Sequence, residues 1–222
     1  MDYIKENLDY IKKRIQANTK EDVLLLAVTK TVEIDKINYA VENGITDIAE
    51  NKPQELVKRY EVLKDKVNYH LIGTLQTNKV KYIIDKVSMI HSLDRISLCE
   101  EIQKRAKNKI KCLVQVNISK ENSKHGLFKE EVIPFIIKVS KDYPKIKIMG
   151  LMTMAPFFED NEKTRDVFRG LKNLSIDIKN LNIENVEMKY LSMGMSNDYE
   201  IALQEGANIV RIGTAIFGKR NY

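Results

Sequence analysis

Eight short apolar runs, each followed by a stretch of helical periodicity, constrain this chain more than any other feature. The runs are Val23–Val28, Thr46–Ala49, Val67–Ile72, Ser88–Ser92, Ile110–Ile118, Ile146–Leu151, Glu187–Leu191 and Asn208–Ile212, most of them about 20 to 25 residues apart. Amphipathic segments lie between them. Asp94–Lys107 carries Cys99, Ile102 and Ala106 on one face, and Thr164–Lys179 carries Val167, Leu171, Leu174 and Ile178. An extra helix, Tyr3–Ile15, precedes the first run, with Ile4, Leu8, Ile11 and Ile15 at helical spacing. Strands alternating regularly with helices predict an α/β fold, a single (β/α)8 TIM barrel with an added N-terminal helix. A doubly wound sheet is the rival, but it usually carries a glycine fingerprint after its first strand. Here the first run ends Ala-Val-Thr-Lys-Thr. Such barrels typically reach about 250 residues, so residues 1–222 are expected to form one domain.

Composition removes several classes of function. The longest apolar run, Val23–Val28, falls far short of the roughly 20 residues needed to span a bilayer. The N-terminus, MDYIKENLDYIKKRIQ, has no apolar signal segment, so a cytoplasmic protein is expected. Cys99 and Cys112 form no CxxC pair and read as small core residues. His70, His91 and His125 match no metal motif, so no metal is expected. The net charge of +6 comes from 37 Lys and Arg interleaved with 31 acids. Lysine dominates and no arginine cluster is visible, which describes a solvated surface better than a nucleic-acid interface.

In a barrel of this kind, chemistry gathers at the C-terminal strand ends, and phosphate is often held by the loops after strands seven and eight. Lys30 ends the first strand on the same face as Leu24, Leu26 and Val28. It reads either as a lysine reaching for water or as a desolvated amine suited to a Schiff base with an aldehyde. Ser192-Met-Gly-Met-Ser196 leads into a helix predicted to start near Ser196, and Arg211-Ile-Gly-Thr214 follows strand eight. Each loop alone fits ordinary turn glycines and a serine cap, or a phosphate cradle of backbone N–H groups. A strand-end lysine together with two such loops suggests a phosphorylated aldehyde cofactor, pyridoxal 5′-phosphate.

The motifs Leu26-Ala-Val-Thr-Lys30, Ala49-Glu-Asn51, Tyr69-His-Leu-Ile-Gly-Thr-Leu-Gln-Thr-Asn-Lys79 and Ile90-His-Ser-Leu-Asp94 resemble the pyridoxal phosphate homeostasis proteins. Gln115-Val-Asn-Ile-Ser119 with Asn122-Ser-Lys124, Gly150-Leu-Met-Thr-Met154, Leu191–Ser196 and Val210–Gly218 extend the resemblance over nearly the whole chain. It implies a barrel like the N-terminal domain of alanine racemase, without that enzyme's β-domain. It implies Lys30 as the Schiff-base lysine, and Ser196, Gly213 and Thr214 on the phosphate with Ser192 nearby. Arg211 would face the pyridine nitrogen, and Asn51 and His70 would line the site. Met152, Met154, Met193 and Met195 read as core filling.

No catalytic residue is assigned. A cation at the pyridine nitrogen opposes its protonation and weakens the ring as an electron sink. The chain as given also offers no folded segment to set an acid or base opposite Lys30. The expectation is therefore a monomer that buffers pyridoxal phosphate and delivers it to apo-PLP-dependent enzymes, with no nucleic-acid or membrane partner. The alternative is a PLP-dependent amino-acid racemase of low activity, with an internal His or Tyr as second base.

Overall fold

Parallel strands cannot be joined by tight hairpins, and in this chain every crossover between barrel strands carries a helix or helical turns. The computed structural model describes residues 1–121, 125–156 and 158–218. The barrel strands are β1 (Leu24–Val28), β2 (Asp47–Glu50), β3 (Asn68–Leu71), β4 (Met89–Leu93), β5 (Ile110–Asn117), β6 (Ile146–Met152), β7 (Val186–Ser192) and β8 (Ile209–Ile212). All neighbours pair in parallel in the order β4-β3-β2-β1-β8-β7-β6-β5, and β4 pairs with β5 to close the barrel. A two-residue strand, Leu127–Phe128, adds to the outer edge of β5 and was not anticipated from the sequence.

The helices are α1 (Asp2–Asn18), α2 (Ile34–Glu42), α3 (Pro53–Leu63), α4 (Val80–Ile83), α5 (Ile96–Arg105), α6 (Lys129–Asp142), α7 (Asn161–Asn180), α8 (Tyr199–Gln204) and α9 (Thr214–Phe217). The observed bounds depart from the expected ones by a few residues at each end, the usual consequence of fraying and capping. Ile4, Leu8, Ile11 and Ile15 of α1 are all buried. That helix is also pinned by Asn7, which donates to the Ile216 carbonyl at 3.0 Å, and by Arg14 paired with Glu200. No described helix is long and apolar enough to cross a membrane.

The period of two in each strand separates two cores. One lies between strands and helices and takes in Ile48, Leu71, Ile90, Phe168 and Ile212. The other fills the barrel lumen with Leu26, Val28, Ala49, Met89, Leu113, Met149, Met152 and Ile209. Cys99 and Cys112 are both buried, and burial pushes the Cys99 thiol up to about 12.

Candidate functional site

The lumen face of β1 runs Leu24, Leu26, Val28, and Lys30 continues it at the C-terminal rim. There a cavity of about 630 Å³ opens at the barrel mouth, within the range of small-molecule sites. Six of the expected residues line it: Lys30, Asn51, Ser196, Arg211, Gly213 and Thr214. Gln115, His125 and Met154 complete part of its wall.

A brace behind the wall fixes the turn that carries Lys30. Immediately after Lys30 the backbone enters the left-handed region at Thr31, with φ 63°, a conformation costly for a β-branched residue unless its surroundings impose it. The Val32 N–H donates to the Thr29 carbonyl at 3.0 Å. Arg59 on α3 then donates to the Val32 carbonyl at 2.6 Å, the Thr29 carbonyl at 3.4 Å and the Glu50 carboxylate at 3.3 Å. The Thr29 hydroxyl donates to the same Glu50 oxygen at 2.6 Å. Sequence reasoning missed Arg59 and Glu50, because an arginine in a helical pattern reads as surface.

The two glycine-containing loops meet. Gly194 sits at φ +91°, and a Cβ there would lie 2.7 Å from the Ala202 Cβ, so glycine lets α8 pack beneath the loop. That helix starts at Tyr199, not near Ser196 as expected. The reason is local. The Met195 N–H donates to the Asp198 carboxylate at 2.5 Å, and the Asp198 N–H returns to the Met195 carbonyl at 3.1 Å, so a turn occupies Met195–Asp198. Ser196 is freed to reach sideways, and its Oγ accepts from the Ala215 N–H at the start of α9, at 3.3 Å. The N–H groups of Ser196, Asn197, Gly213 and Thr214 make no bond to another described residue. Such unpaired donors suit an anion.

Asn51 adds an acceptor, since its Oδ1 is buried and has no partner among the described residues. The donor set, this orphaned oxygen and the rim amine of Lys30 fit a phosphorylated aldehyde.

His70 and Ser192, expected near the ligand, do not line the cavity. They lie beneath it in a buried row that crosses the lumen. Arg211 Nη1 donates to Ser192 Oγ at 2.8 Å, Ser192 Oγ meets His91 Nδ1 at 3.0 Å, and His91 Nε2 meets His70 Nδ1 at 2.9 Å. His70 Nε2 meets Asp47 Oδ1 at 2.9 Å, and Arg211 Nη2 donates to the Thr153 carbonyl at 2.9 Å. Burial lowers the Arg211 guanidinium to about 10, which leaves it charged at neutral pH. Burial, then the neighbouring His70 and Arg211, hold His91 well below the ordinary histidine value. Burial pushes Asp47 up, but hydrogen bonds from His70 and Thr46 outweigh it and keep the carboxyl below its usual range.

Of the four methionines, Met152 and Met193 fill the core, whereas Met154 and Met195 stand at the cavity wall. The motif residues Asn122, Ser123 and Lys124 lie outside the described residues. Among the described residues no cluster of His, Cys, Asp and Glu could hold a metal ion.

Comparisons with known proteins agree with this fold. The family model described as "Alanine racemase, N-terminal domain" matches residues 1–221. A curated relative from Aquifex aeolicus, named pyridoxal phosphate homeostasis protein, is 45% identical over 202 residues, covering 89% of this chain and 87% of the relative. The solved structure of PipY from Synechococcus elongatus with PLP bound superposes with a TM-score of 0.87 at 27% identity, covering 97% of this chain and all of that one. Alanine racemase from Clostridium difficile shares the fold, with a TM-score of 0.74 at 17% identity, over 58% of its own length.

Proposed function

The chain belongs to the pyridoxal phosphate homeostasis proteins, a family built on the alanine racemase N-terminal domain, and from that premise we propose that it binds pyridoxal 5′-phosphate at Lys30 and buffers and hands over that cofactor in the cytoplasm. One observation carries the reading: a rim amine, a buried cation and a loop of unpaired N–H donors share a single cavity. Bound there, the cofactor supplies an aldehyde that condenses with amines and a ring that draws electrons. Ser196, Gly213 and Thr214 would hold the phosphate, and Asn51 would accept a hydrogen bond from the cofactor. Arg211 would oppose the pyridine nitrogen. Because the guanidinium is cationic and has no acceptor atom, it disfavours a protonated ring nitrogen and so weakens the ring for proton abstraction at carbon. That favours a carrier over a catalyst, with apo-PLP-dependent enzymes as recipients.

Borohydride treatment of the loaded protein is expected to fix the cofactor on Lys30, mapped by mass spectrometry. Attachment at another lysine would overturn the assignment. Thr214→Val removes a donor to a charged group and is expected to weaken binding by roughly tenfold to a hundredfold. Pyridoxal, which lacks the phosphate, should bind far more weakly than the phosphate ester.

A racemase of low activity is the second reading, and one observation favours it: His125 lines the cavity. Incubating loaded protein with single-enantiomer amino acids separates the two. Robust loss of optical purity establishes the racemase, whereas recovery of an added apoenzyme's activity without such turnover establishes the carrier.

A further inference from the structure

We propose that Asp47, His70 and His91 are positioning residues that, through Ser192, hold the Arg211 guanidinium fixed at the floor of the cavity. This rests on the reading that Arg211 serves the cofactor's ring nitrogen. All five residues are nearly inaccessible: Asp47 is 5% exposed, His70 and Arg211 3%, and Ser192 and His91 0%. They come from β2, β3, β4, β7 and β8, so the row spans the barrel from one wall to the other.

With donors only at one end and acceptors only at the other, one set of directions satisfies every member of the row. Arginine has donors only and a carboxylate has acceptors only. Ser192 Oγ accepts from Arg211, and the hydroxyl proton goes to its one further partner among the described residues, His91 Nδ1. His91 must then carry its own proton on Nε2 and give it to His70 Nδ1. His70 in turn carries its proton on Nε2 and gives it to Asp47. Each ring is thereby confined to one tautomer, accepting on Nδ1 and donating on Nε2. A second proton on His91 would set Nδ1–H against the hydroxyl proton of Ser192, beside the arginine. The depressed basicity of His91 agrees with this.

The row does something a packed lumen would not. A buried polar group costs free energy unless its partners are all supplied, and the row shares this lumen with a cluster of apolar side chains. Among the row's members, only Arg211 also lines the cavity. Its bonds to Ser192 Oγ and to the Thr153 carbonyl hold two of its nitrogens, so the guanidinium plane cannot turn. The Asp47 carboxylate closes the row at its far end. The other charged side chains near this arginine are Lys30 at the rim and Asp198 in the loop after β7.

Two measurements test the proposal. The first needs no cofactor: long-range nitrogen–proton NMR of the histidine rings in the unaltered chain between about pH 5 and pH 8. Both His70 and His91 are expected as the Nε2–H tautomer, with the His91 nitrogen shifts constant across that range. An Nδ1–H ring at either position, or protonation of His91 in that window, overturns the row. The second compares loaded His91→Phe with loaded His91→Gln, whose amide can accept at one end and donate at the other. The pH midpoint of the bound cofactor's visible band is expected to move by about one unit, tenfold in the proton equilibrium, in His91→Phe and to return toward the parent in His91→Gln. An unmoved midpoint in His91→Phe with the cofactor attached at Lys30 overturns the positioning role. Absence of borohydride trapping at Lys30 in the parent would instead strike the binding reading, while the NMR result would still decide the row.

Discussion

Two carboxylates on one short strand meet opposite fates. Asp47 and Glu50 are both buried, at 5% and 1% exposure, and lie three residues apart on β2. The period of two therefore sends them to opposite faces. Asp47 points into the lumen, where His70 bonds one oxygen at 2.9 Å and Thr46 the other at 2.7 Å. Glu50 points outward beneath α3, where Thr29 and Arg59 share a single oxygen and Oε2 has no partner among the described residues. Burial pushes Glu50 above the ordinary range despite those two partners, while the partners of Asp47 keep it below. Depth does not decide the sign; the share of each carboxylate's lone pairs that find donors does. Each acid also stands behind a different part of the site, Asp47 behind Arg211 and Glu50 behind the turn that carries Lys30.

Breaking the satisfied side should cost most. Asp47→Ala leaves the His70 Nε2–H buried without an acceptor and removes the negative end of the row. A loss of about 3 kcal/mol is expected, which for a chain of this size lowers Tm by roughly 6–12 °C. Thermal unfolding followed by circular dichroism checks it. A Tm within a degree or two of the parent would mean that the row carries no strain when cut.

How much of this was legible beforehand follows the range over which each feature is encoded. The place of Lys30 at the cavity was legible, because Leu24, Leu26 and Val28 of β1 already state which face points inward. The glycine loops were legible too, since Gly194 is required by the close approach of α8. The start of α8 was not. Ser196 and Asp198 can both cap a helix, and only the Met195–Asp198 turn decides between them. The buried row was hidden for a larger reason. His70 and His91 are 21 residues apart and meet because β3 pairs with β4, whereas His91 and Ser192 are 101 apart and meet across the closed lumen. His70 therefore read as a lining residue, although it stands beneath the cavity. No local pattern encodes a contact made by closure.

A milder change sharpens the comparison. Asp47→Asn keeps an acceptor for His70 but removes the charge, and about 1 kcal/mol should be lost at neutral pH. The folded-state pKa of Asp47 lies below the ordinary value of 3.8. The carboxylate thus contributes stability that is present above that value and lost as pH falls through the lower folded-state value. Urea unfolding from about pH 5 downward should show the parent losing its advantage over Asp47→Asn in the acid limb. A constant gap between the two would mean that the charge contributes nothing through the row.

The smallest effect belongs to Glu50→Gln, and its sign runs the other way. Glutamine keeps an acceptor for the Thr29 hydroxyl, gives up the charge facing Arg59, and removes a buried carboxylate oxygen that had no donor. A lost charged hydrogen bond and a relieved desolvation penalty oppose each other, so the net change should stay within about 1 kcal/mol at neutral pH. The pH dependence is the sharper reading. Because the folded-state pKa of Glu50 is raised above 4.5, protonation favours the folded chain. The stability it contributes is present below 4.5 and lost as pH rises through the folded-state value. The amide mimics the protonated acid at every pH. As pH rises from about 4.5 through the folded-state value, the parent should therefore lose ground to Glu50→Gln, the reverse of the acid-limb loss at Asp47. Parallel stability curves over that range would show that Arg59 compensates the Glu50 charge fully, and that the two carboxylates of β2 differ in geometry but not in energy.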